Sequence, residues 1–142
     1  MKQKVEFRIE PLSLIYVPEV IEMLQDISKF EPSANFGVLF DEYQAQSNVY
    51  SLVGLKQGKV IAYGSGFLYS NIRGGKFMQL EDIVVSSKYR RLGIGTLILS
   101  KFTEIARENC CYKVILACKS ITLPFYESCG FELDGHSMKL GF

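Results

Sequence analysis

The segment from Phe77 to Ala117 constrains the fold more than any other part of the chain. A β-rich run, Phe77 to Val85, precedes a turn that holds Gly93 and Gly95. A second β-rich run, Tyr112 to Ala117, ends the segment. Between them, apolar residues recur at helical spacing, at Ile94, Leu97, Ile98, Phe102, Ile105 and Ala106. Because a helical crossover joins strands that pair in parallel, we expect a parallel pair with this helix on one face.

The other segments predict antiparallel strands and further helices around this crossover. The tetrapeptide KQGK lies between two β-rich runs, as in a hairpin, and NIRGG predicts a second turn. The expected strands are Val5 to Glu10, Tyr50 to Leu55, Val60 to Tyr69, Phe131 to Leu133 and Ser137 to Leu140. The expected helices are Val17 to Ile27, with Pro18 in its first turn, Phe36 to Ala45, and Leu123 to Ser128 with Gly130 as its C-terminal cap. The sequence therefore predicts one α+β domain, residues 1–142, with a mixed and mostly antiparallel sheet.

Composition excludes several classes of function. The 16 basic and 15 acidic residues leave a net charge of +1, which argues against a nucleic-acid partner. No apolar run approaches the roughly 20 residues that a membrane span needs, and no signal peptide is evident, so we expect a cytoplasmic protein. The four cysteines form no C-x-x-C pair, and with a single histidine, His136, they predict no metal site and reduced, mostly buried thiols.

The turn before the long helix suggests an anion site. Gly93 and Gly95 let a ligand approach the backbone, and the helix N-terminus offers unpaired N–H groups to a phosphate. Arg90 and Arg91 add positive charge. The run lacks the G-x-x-x-x-G-K-[ST] of a P-loop, and Ile98 stands where a dinucleotide fingerprint needs its third glycine. A plain strand–helix turn with solvated arginines remains the alternative.

Two motifs resemble those of a known family. Arg90, Gly93 and Gly95 match the [RQ]-x-x-G-x-[GA] of motif A in the GNAT superfamily of acyl-CoA N-acyltransferases, and PFYESCGF matches its Y-x-x-x-G-F. Within that superfamily, LEDIVV, CYKVILAC and PFYESCGF resemble the glucosamine-6-phosphate N-acetyltransferases. The resemblance implies a GNAT fold, with a splayed parallel pair of strands and helices on both faces of the sheet.

The resemblance also implies a cofactor, a substrate and an assembly. Acetyl-CoA would be the co-substrate and glucosamine 6-phosphate the acceptor, in the route to UDP-N-acetylglucosamine. The family forms homodimers in which the C-terminal strand crosses to the partner. The cofactor-binding positions would be Ile83, Val84, Val85, Arg90, Arg91, Leu92, Gly93, Ile94, Gly95, Thr96 and Thr122.

Acetyl transfer to an amine needs a base for the ammonium and an acid for the leaving thiolate. The sequence offers no Ser-His-Asp arrangement and no G-x-S-x-G, so direct attack in a ternary complex is expected. Glu81 or Asp82 would hold and deprotonate the ammonium, although neighbours in a strand face opposite sides unless a bulge intervenes. Tyr126 is the candidate acid, because a phenol stays protonated at neutral pH.

The acceptor is less constrained than the cofactor. Arg73 and Lys119 are candidates to contact the sugar phosphate. The chain departs from the family pattern at four positions: Gln79, Ala117, Thr122 and Gly141. Two alternatives therefore stay open: an N-acetyltransferase for another small amine or a protein N-terminus, and an acyl-CoA-binding module without catalysis.

Overall fold

A five-stranded sheet organises the protein, with its strands in chain order across the sheet. The structure, a computed structural model, describes residues 6–32 and 35–142. Four strands pair antiparallel, and the fifth pairs in parallel with the fourth. The strands are β1 (Arg8–Pro11), β2 (Val49–Lys56), β3 (Lys59–Ser70), β4 (Lys76–Val85) and β5 (Cys111–Ile115). The predicted mixed sheet and its parallel pair are thus confirmed.

Four α-helices and three short 3-10 turns connect these strands. The helices are α1 (Val17–Leu24), α2 (Phe36–Gln44), α3 (Ile94–Glu108) and α4 (Leu123–Ser128), and the 3-10 turns are Leu14–Tyr16, Ser87–Tyr89 and Ser120–Thr122. Two predicted elements were too long: α1 ends before Ile27, and β5 ends two residues before Ala117. Val5, the predicted start of the first strand, lies outside the described residues. No helix in the described ranges has both the length and the apolar character to cross a membrane.

Two hydrophobic cores form because the sheet buries both faces. On one face, α3 packs Ile94, Ile98 and Phe102 against residues such as Ile61 and Met78. On the other face, α1 contributes Val17 and Val20 to a cluster built on Val53, Leu55, Val60, Tyr63 and Val84, with α2 beside them. Helices therefore cover both faces of the sheet, as predicted. Completely burying one such aliphatic side chain stabilises the fold by about 1.5–3 kcal/mol.

Two glycines of β3 let α3 approach the sheet closely. A Cβ at Gly64 would lie 2.6 Å from Ile83 Cδ1 and 2.9 Å from the Phe102 ring. A Cβ at Gly66 would lie 2.9 Å from the same ring. Phe102 is fully buried against this side-chain-free strip. The strip therefore fixes the position of α3, whose N-terminus belongs to the candidate site.

The predicted closing strands are wrong. No residue from 131 to 142 belongs to a strand, although all twelve are described. A strand exists only where its N–H and C=O groups find a neighbour to pair with. Within the described residues this segment has none, and its apolar side chains after Phe131 are exposed: Leu133 75%, Met138 93%, Leu140 81% and Phe142 117%.

The cysteines are free, as expected, but they are less buried than predicted. Cys110 and Cys118 are exposed, and Cys111 and Cys129 are half-buried. Cys118 follows the end of β5, which is shorter than predicted, so it lies in a loop at the surface. His136 is exposed in the C-terminal segment, in agreement with its predicted surface position.

Candidate active site

A wedge opens where β4 and β5 part. The two strands pair from Lys76 and Cys111 as far as Gln79 and Ile115, and β4 then continues to Val85 with β3 on its other side. The edge of β4 that would face β5 is therefore unpaired over residues 80–85. Such backbone N–H and C=O groups need partners, and they can bind an extended ligand.

A β-bulge shapes the same stretch of β4. Tyr63 is opposite Val84, but Ser65 is opposite Glu81, so β4 holds one more residue than β3 in this interval. Asp82 has a φ of 56°, in the left-handed region that asparagine and aspartate tolerate best among residues with a side chain. The extra residue breaks the alternation that would send neighbouring side chains to opposite faces. This bulge is the exception under which Glu81 and Asp82 can serve one site.

Glu81 and Asp82 sit in different electrostatic surroundings. Gln79 donates a hydrogen bond from Nε2 to Glu81 Oε1 at 2.6 Å, which orients that carboxylate. Partial desolvation raises the pKa of Asp82, and the neighbouring Glu81 charge raises it further, although the residue remains in contact with solvent. A carboxylate with a raised pKa accepts a proton more readily than an unperturbed aspartate does.

The glycine-rich turn before α3 has two residues in the left-handed backbone region. Arg91 has a φ of 66°, and Gly93, the N-cap of α3, has a φ of 90°. No side chain caps this helix N-terminus. Left-handed residues at a helix start turn successive N–H groups toward one point, where they bind anions. The backbone of this turn fits the phosphate cradle that the sequence predicts, and phosphate binding here stays a prediction.

Arg90 has a structural contact in this turn. Its Nε donates to the Val85 carbonyl at 3.4 Å, so the guanidinium lies back over the end of β4. Arg91 and Leu92 are exposed at the rim, and Thr96 is exposed in the first turn of α3. The two arginine side chains therefore lie beside the turn, Arg90 against the end of β4 and Arg91 at the exposed rim.

Gly95 brings α4 against the start of α3. A Cβ there would lie 3.1 Å from Phe125 Cζ and 3.4 Å from Val85 Cγ2. Phe125 precedes Tyr126 in α4. The small size of Gly95 therefore lets the helix that holds the candidate acid pack against the start of α3. The Thr96 hydroxyl also lies 3.9 Å from Cys129 Sγ, just after α4.

The Y-x-x-x-G-F motif ends α4 and positions Tyr126. Gly130 has a φ of 94°, and its N–H donates to the Glu127 carbonyl at 3.0 Å. Phe131 N–H donates to the Tyr126 carbonyl at 3.1 Å, which completes a Schellman motif. The rings of Tyr126 and Phe131 then meet edge to face, with centroids 5.9 Å apart. The motif therefore fixes the Tyr126 side chain against the core.

Tyr126 has the protonation state that a general acid needs. Burial raises the pKa of its phenol, and the nearby Cys118 and Cys129 thiols raise it further. No group in residues 6–32 or 35–142 hydrogen-bonds to its hydroxyl. The phenol is therefore neutral at physiological pH and free to donate.

The remaining predicted site residues fall into three groups. Lys119 and Thr122 follow β5 at the open end of the wedge, where the Thr122 hydroxyl donates to the Lys119 carbonyl at 2.9 Å. Ile83, Val84 and Val85 direct side chains into the cores, so only their backbone is available to a cofactor. Arg73 lies in the turn before β4, whose first residue, Lys76, is about 17 Å along the strand from Glu81 at about 3.3 Å per residue. A single chain does not bring Arg73 to the acid pair.

The sequence interpretation missed the role of Gln79, which appeared only as a departure from the family pattern. Gln79 and Glu81 are two residues apart in a strand, so they share a face, and this spacing could have predicted their contact.

Comparisons with known proteins agree with this fold. The model of the Acetyltransferase (GNAT) family matches residues 17–131. Glucosamine 6-phosphate N-acetyltransferase 1 of Dictyostelium discoideum is 39% identical over 106 residues, 71% of this chain and 68% of that protein. Glucosamine 6-phosphate N-acetyltransferase of Candida albicans is 30% identical over 128 residues, 87% of this chain and 83% of that protein. The crystal structure of glucosamine-6-phosphate N-acetyltransferase from Arabidopsis thaliana superposes with a TM-score of 0.88 at 27% identity, over 96% of this chain and 99% of that one. The chain therefore belongs to the GNAT acetyltransferase family and is an acetyl-transferring enzyme.

Proposed function

We propose that the protein transfers an acetyl group from acetyl-CoA to the amine of glucosamine 6-phosphate, giving N-acetylglucosamine 6-phosphate and CoA. One observation carries the proposal: the wedge between β4 and β5 has the acid pair at its β4 bulge and the Tyr126 phenol on α4. The names of the relatives supply the acceptor.

Each catalytic side chain has a distinct task. Asp82, whose pKa is raised, accepts the proton of the acceptor ammonium, and Glu81, oriented by Gln79, holds that ammonium by its charge. The neutral amine then attacks the thioester directly. Tyr126 donates its hydroxyl proton to the leaving thiolate.

Acetyl-CoA would lie along the unpaired edge of β4. The backbone of Ile83, Val84 and Val85 offers hydrogen bonds to an extended amide-bearing chain. The cradle from Arg90 to Thr96 would hold the pyrophosphate, and Thr122 would contact the cofactor beside α4. The lack of a side chain at Gly93 and the open space around its Cβ position suit a bound phosphate.

The acceptor phosphate needs positive charge near the wedge. Lys119 has the suitable place, because it follows β5 at the carboxyl ends of the parallel strands. Arg73 would contribute only from the opposite end of β4. We further propose that residues 1–142 act as one acetyltransferase domain, in the cytoplasm, in the formation of UDP-N-acetylglucosamine.

A homodimer with exchanged C-terminal strands is the proposed assembly. The outer edge of β5 has no neighbour in the described part of the chain, and the exposed apolar segment 131–142 has none either. A second copy could pair the two and bury Leu133, Met138, Leu140 and Phe142. Light scattering at micromolar concentration should give twice the 16.1 kDa chain mass, and a monomer would refute this assembly.

The function is tested by mixing the protein with acetyl-CoA and glucosamine 6-phosphate and following thiol release. Turnover at micromolar enzyme, abolished when the amine is replaced by glucose 6-phosphate, supports the proposal. Tight acetyl-CoA binding without turnover of the amino sugar would overturn the acceptor.

One observation favours a second candidate, an N-acetyltransferase for another small amine or a protein N-terminus. Ala117 and Gly141 carry no polar side chain at positions where the resembled family can place groups that face the sugar, and both are exposed. A panel of a polyamine, an aminoglycoside and a peptide N-terminus, compared with glucosamine 6-phosphate by kcat/KM, distinguishes the two.

A further inference from the structure

Three hydroxyl groups meet in the core behind the acid pair. Ser65 Oγ lies 2.6 Å from Tyr43 Oη and 2.6 Å from Tyr63 Oη, and Tyr63 Oη lies 3.4 Å from Tyr43 Oη. Ser65 and Tyr63 come from β3, and Tyr43 comes from α2. Each hydroxyl can both donate and accept, so the hydrogen bonds of this trio can point in either direction around it.

Burying these three hydroxyls costs desolvation free energy. Ser65 is 2% exposed, and it is the one buried polar side chain in the described residues. Tyr63 is buried too, whereas Tyr43 is only half-buried. Alanine and phenylalanine would fill these places without the desolvation cost of three hydroxyls, which their hydrogen bonds repay only in part.

The trio lies next to the site of amine deprotonation. Ser65 is directly opposite Glu81 in the β3–β4 register, and Tyr63 is opposite Val84, so the trio flanks the bulge at Asp82. Burial raises the pKa of the Tyr63 phenol, to which Tyr43 and Asp82 also contribute, so Tyr63 stays neutral and Asp82 is within electrostatic reach of it.

We propose that, once acetyl-CoA and the acceptor cover Asp82, the hydroxyls of Tyr63, Ser65 and Tyr43 form a relay that carries the acceptor's proton from Asp82 toward solvent at the edge of α2. This inference rests on the proposed function, since it needs an ammonium acceptor. It assigns to the three hydroxyls a part in the reaction that no motif of the sequence predicts.

The step balances without an added reactant. The Asp82 carboxyl gives its proton to Tyr63 Oη, directly or across one water, while the Tyr63 proton passes to Ser65, the Ser65 proton to Tyr43 and the Tyr43 proton to water. In the direct route four O–H bonds break and four form, and a bridging water adds one of each. Each hydroxyl ends neutral, and Asp82 is a carboxylate again. The titratable groups facing the trio are Glu81 and Asp82 from β4; Glu19 of α1 faces β3 farther along, where it accepts the Val60 N–H at 3.1 Å.

The decisive comparison is Ser65→Thr against Ser65→Val. The two side chains have nearly the same shape, so packing effects cancel, and only threonine keeps the hydroxyl. We expect the valine variant to lose tenfold or more in kcat/KM for the amine at pH 6.5, relative to the threonine variant. The deficit should shrink toward unity above the pKa of the amine, because a free amine has no proton to lose. The KM for acetyl-CoA should be equal in the two variants.

Tyr63→Phe should reproduce this pH-dependent loss, and Tyr69→Phe is the matched control. Tyr69 is a tyrosine of β3 outside the trio, and its removal should leave the profile unchanged. Thermal unfolding of each variant accompanies the kinetics. A deficit of equal size at every pH, or none at any pH, would overturn the relay.

Different measurements test the relay and the proposed function. Wild-type turnover with glucosamine 6-phosphate tests the function. The valine-to-threonine ratio, taken with whichever amine the wild type acetylates, tests the relay.

Discussion

Replacing Gly93 and Gly95 by alanine, one at a time, separates backbone strain from packing in the phosphate cradle. Gly93 has a φ of 90° and open space at its Cβ position, so alanine there is strained without a clash. A left-handed conformation costs a residue with a side chain roughly 1–2 kcal/mol, and the lower entropy of the unfolded alanine chain offsets about 0.4–1 kcal/mol. We therefore expect Gly93→Ala to destabilise the protein by about 1 kcal/mol, or about 3–4 °C in Tm at this chain length.

Gly95→Ala should behave differently, because Gly95 is inside α3. Alanine is favoured over glycine in a helix by about 1 kcal/mol, but its Cβ would press on Phe125 Cζ at 3.1 Å. The two effects oppose each other, so the expected change in Tm is small. The displaced Phe125 should instead move α4 and its neighbour Tyr126, and kcat should fall.

Both variants should bind CoA more weakly, as measured by isothermal titration. Loss of one hydrogen bond to a charged phosphate costs about 1.5–3 kcal/mol, which is at least tenfold in Kd. Arg91→Ala, at the exposed rim, should cost about 1 kcal/mol or less, roughly fivefold at most. The matched control is Gly74→Ala, since Gly74 has a φ of 88°, open space at Cβ and a place at the opposite end of β4. It should lose the same stability as Gly93→Ala and keep wild-type CoA affinity. Unchanged CoA affinity in Gly93→Ala, or a loss as large in Gly74→Ala, would refute the cradle.

Three further perturbations test the site and its support. Tyr126→Phe should lower kcat by about 10²–10⁴-fold, the usual contribution of a positioned acid, with the Kd of acetyl-CoA unchanged; an unaltered kcat would remove Tyr126 from the mechanism. Folding raises the pKa of Asp82 above the ordinary carboxyl value of about 4. Between these two pKa values the folded protein holds a proton that the unfolded chain has released, so stability falls as the pH rises through this range. Asp82→Asn should therefore raise Tm at pH 7 and give no gain at pH 3, and a gain that is the same at both pH values would contradict the raised pKa. Gly64→Ala should destabilise the protein by about 1–3 kcal/mol in denaturant titration, because its Cβ overlaps Ile83 and Phe102, and a neutral effect would mean that the core yields more easily than its packing indicates.

Local patterns in the sequence predicted much of the fold. The KQGK hairpin is confirmed in detail: Gln57 and Gly58 have φ values of 50° and 77°, as a tight type I′ turn requires. The strand–helix–strand pattern from Phe77 to Ala117 correctly predicted the parallel pair, and Gly130 correctly predicted the end of α4. These features depend on residues that are close in sequence, so a short window holds the information.

Features that depend on neighbours distant in sequence were missed or mistaken. The bulge at Asp82 arises from the register of β4 against β3, and residue type alone did not reveal it. The hydroxyl trio joins Tyr43 to Ser65, 22 residues apart. The strands expected at the C-terminus are wrong, because apolar β-forming residues make a strand only where a neighbouring strand pairs with them, and the described residues offer none.

Because β4 and β5 part, ligand binding in the wedge is coupled to the stability of the folded protein. A ligand that hydrogen-bonds along residues 80–85 takes the place of a missing strand, so binding and completion of the sheet are one event. By mass action, ligand at 100 times its Kd adds about 2.7 kcal/mol to the free energy of unfolding. Amide hydrogens of this edge should then exchange more slowly in proportion to occupancy. In a cell, a fall in the supply of the acetyl donor would let this edge open more often to proteases, so the lifetime of the protein would follow the abundance of its own substrate.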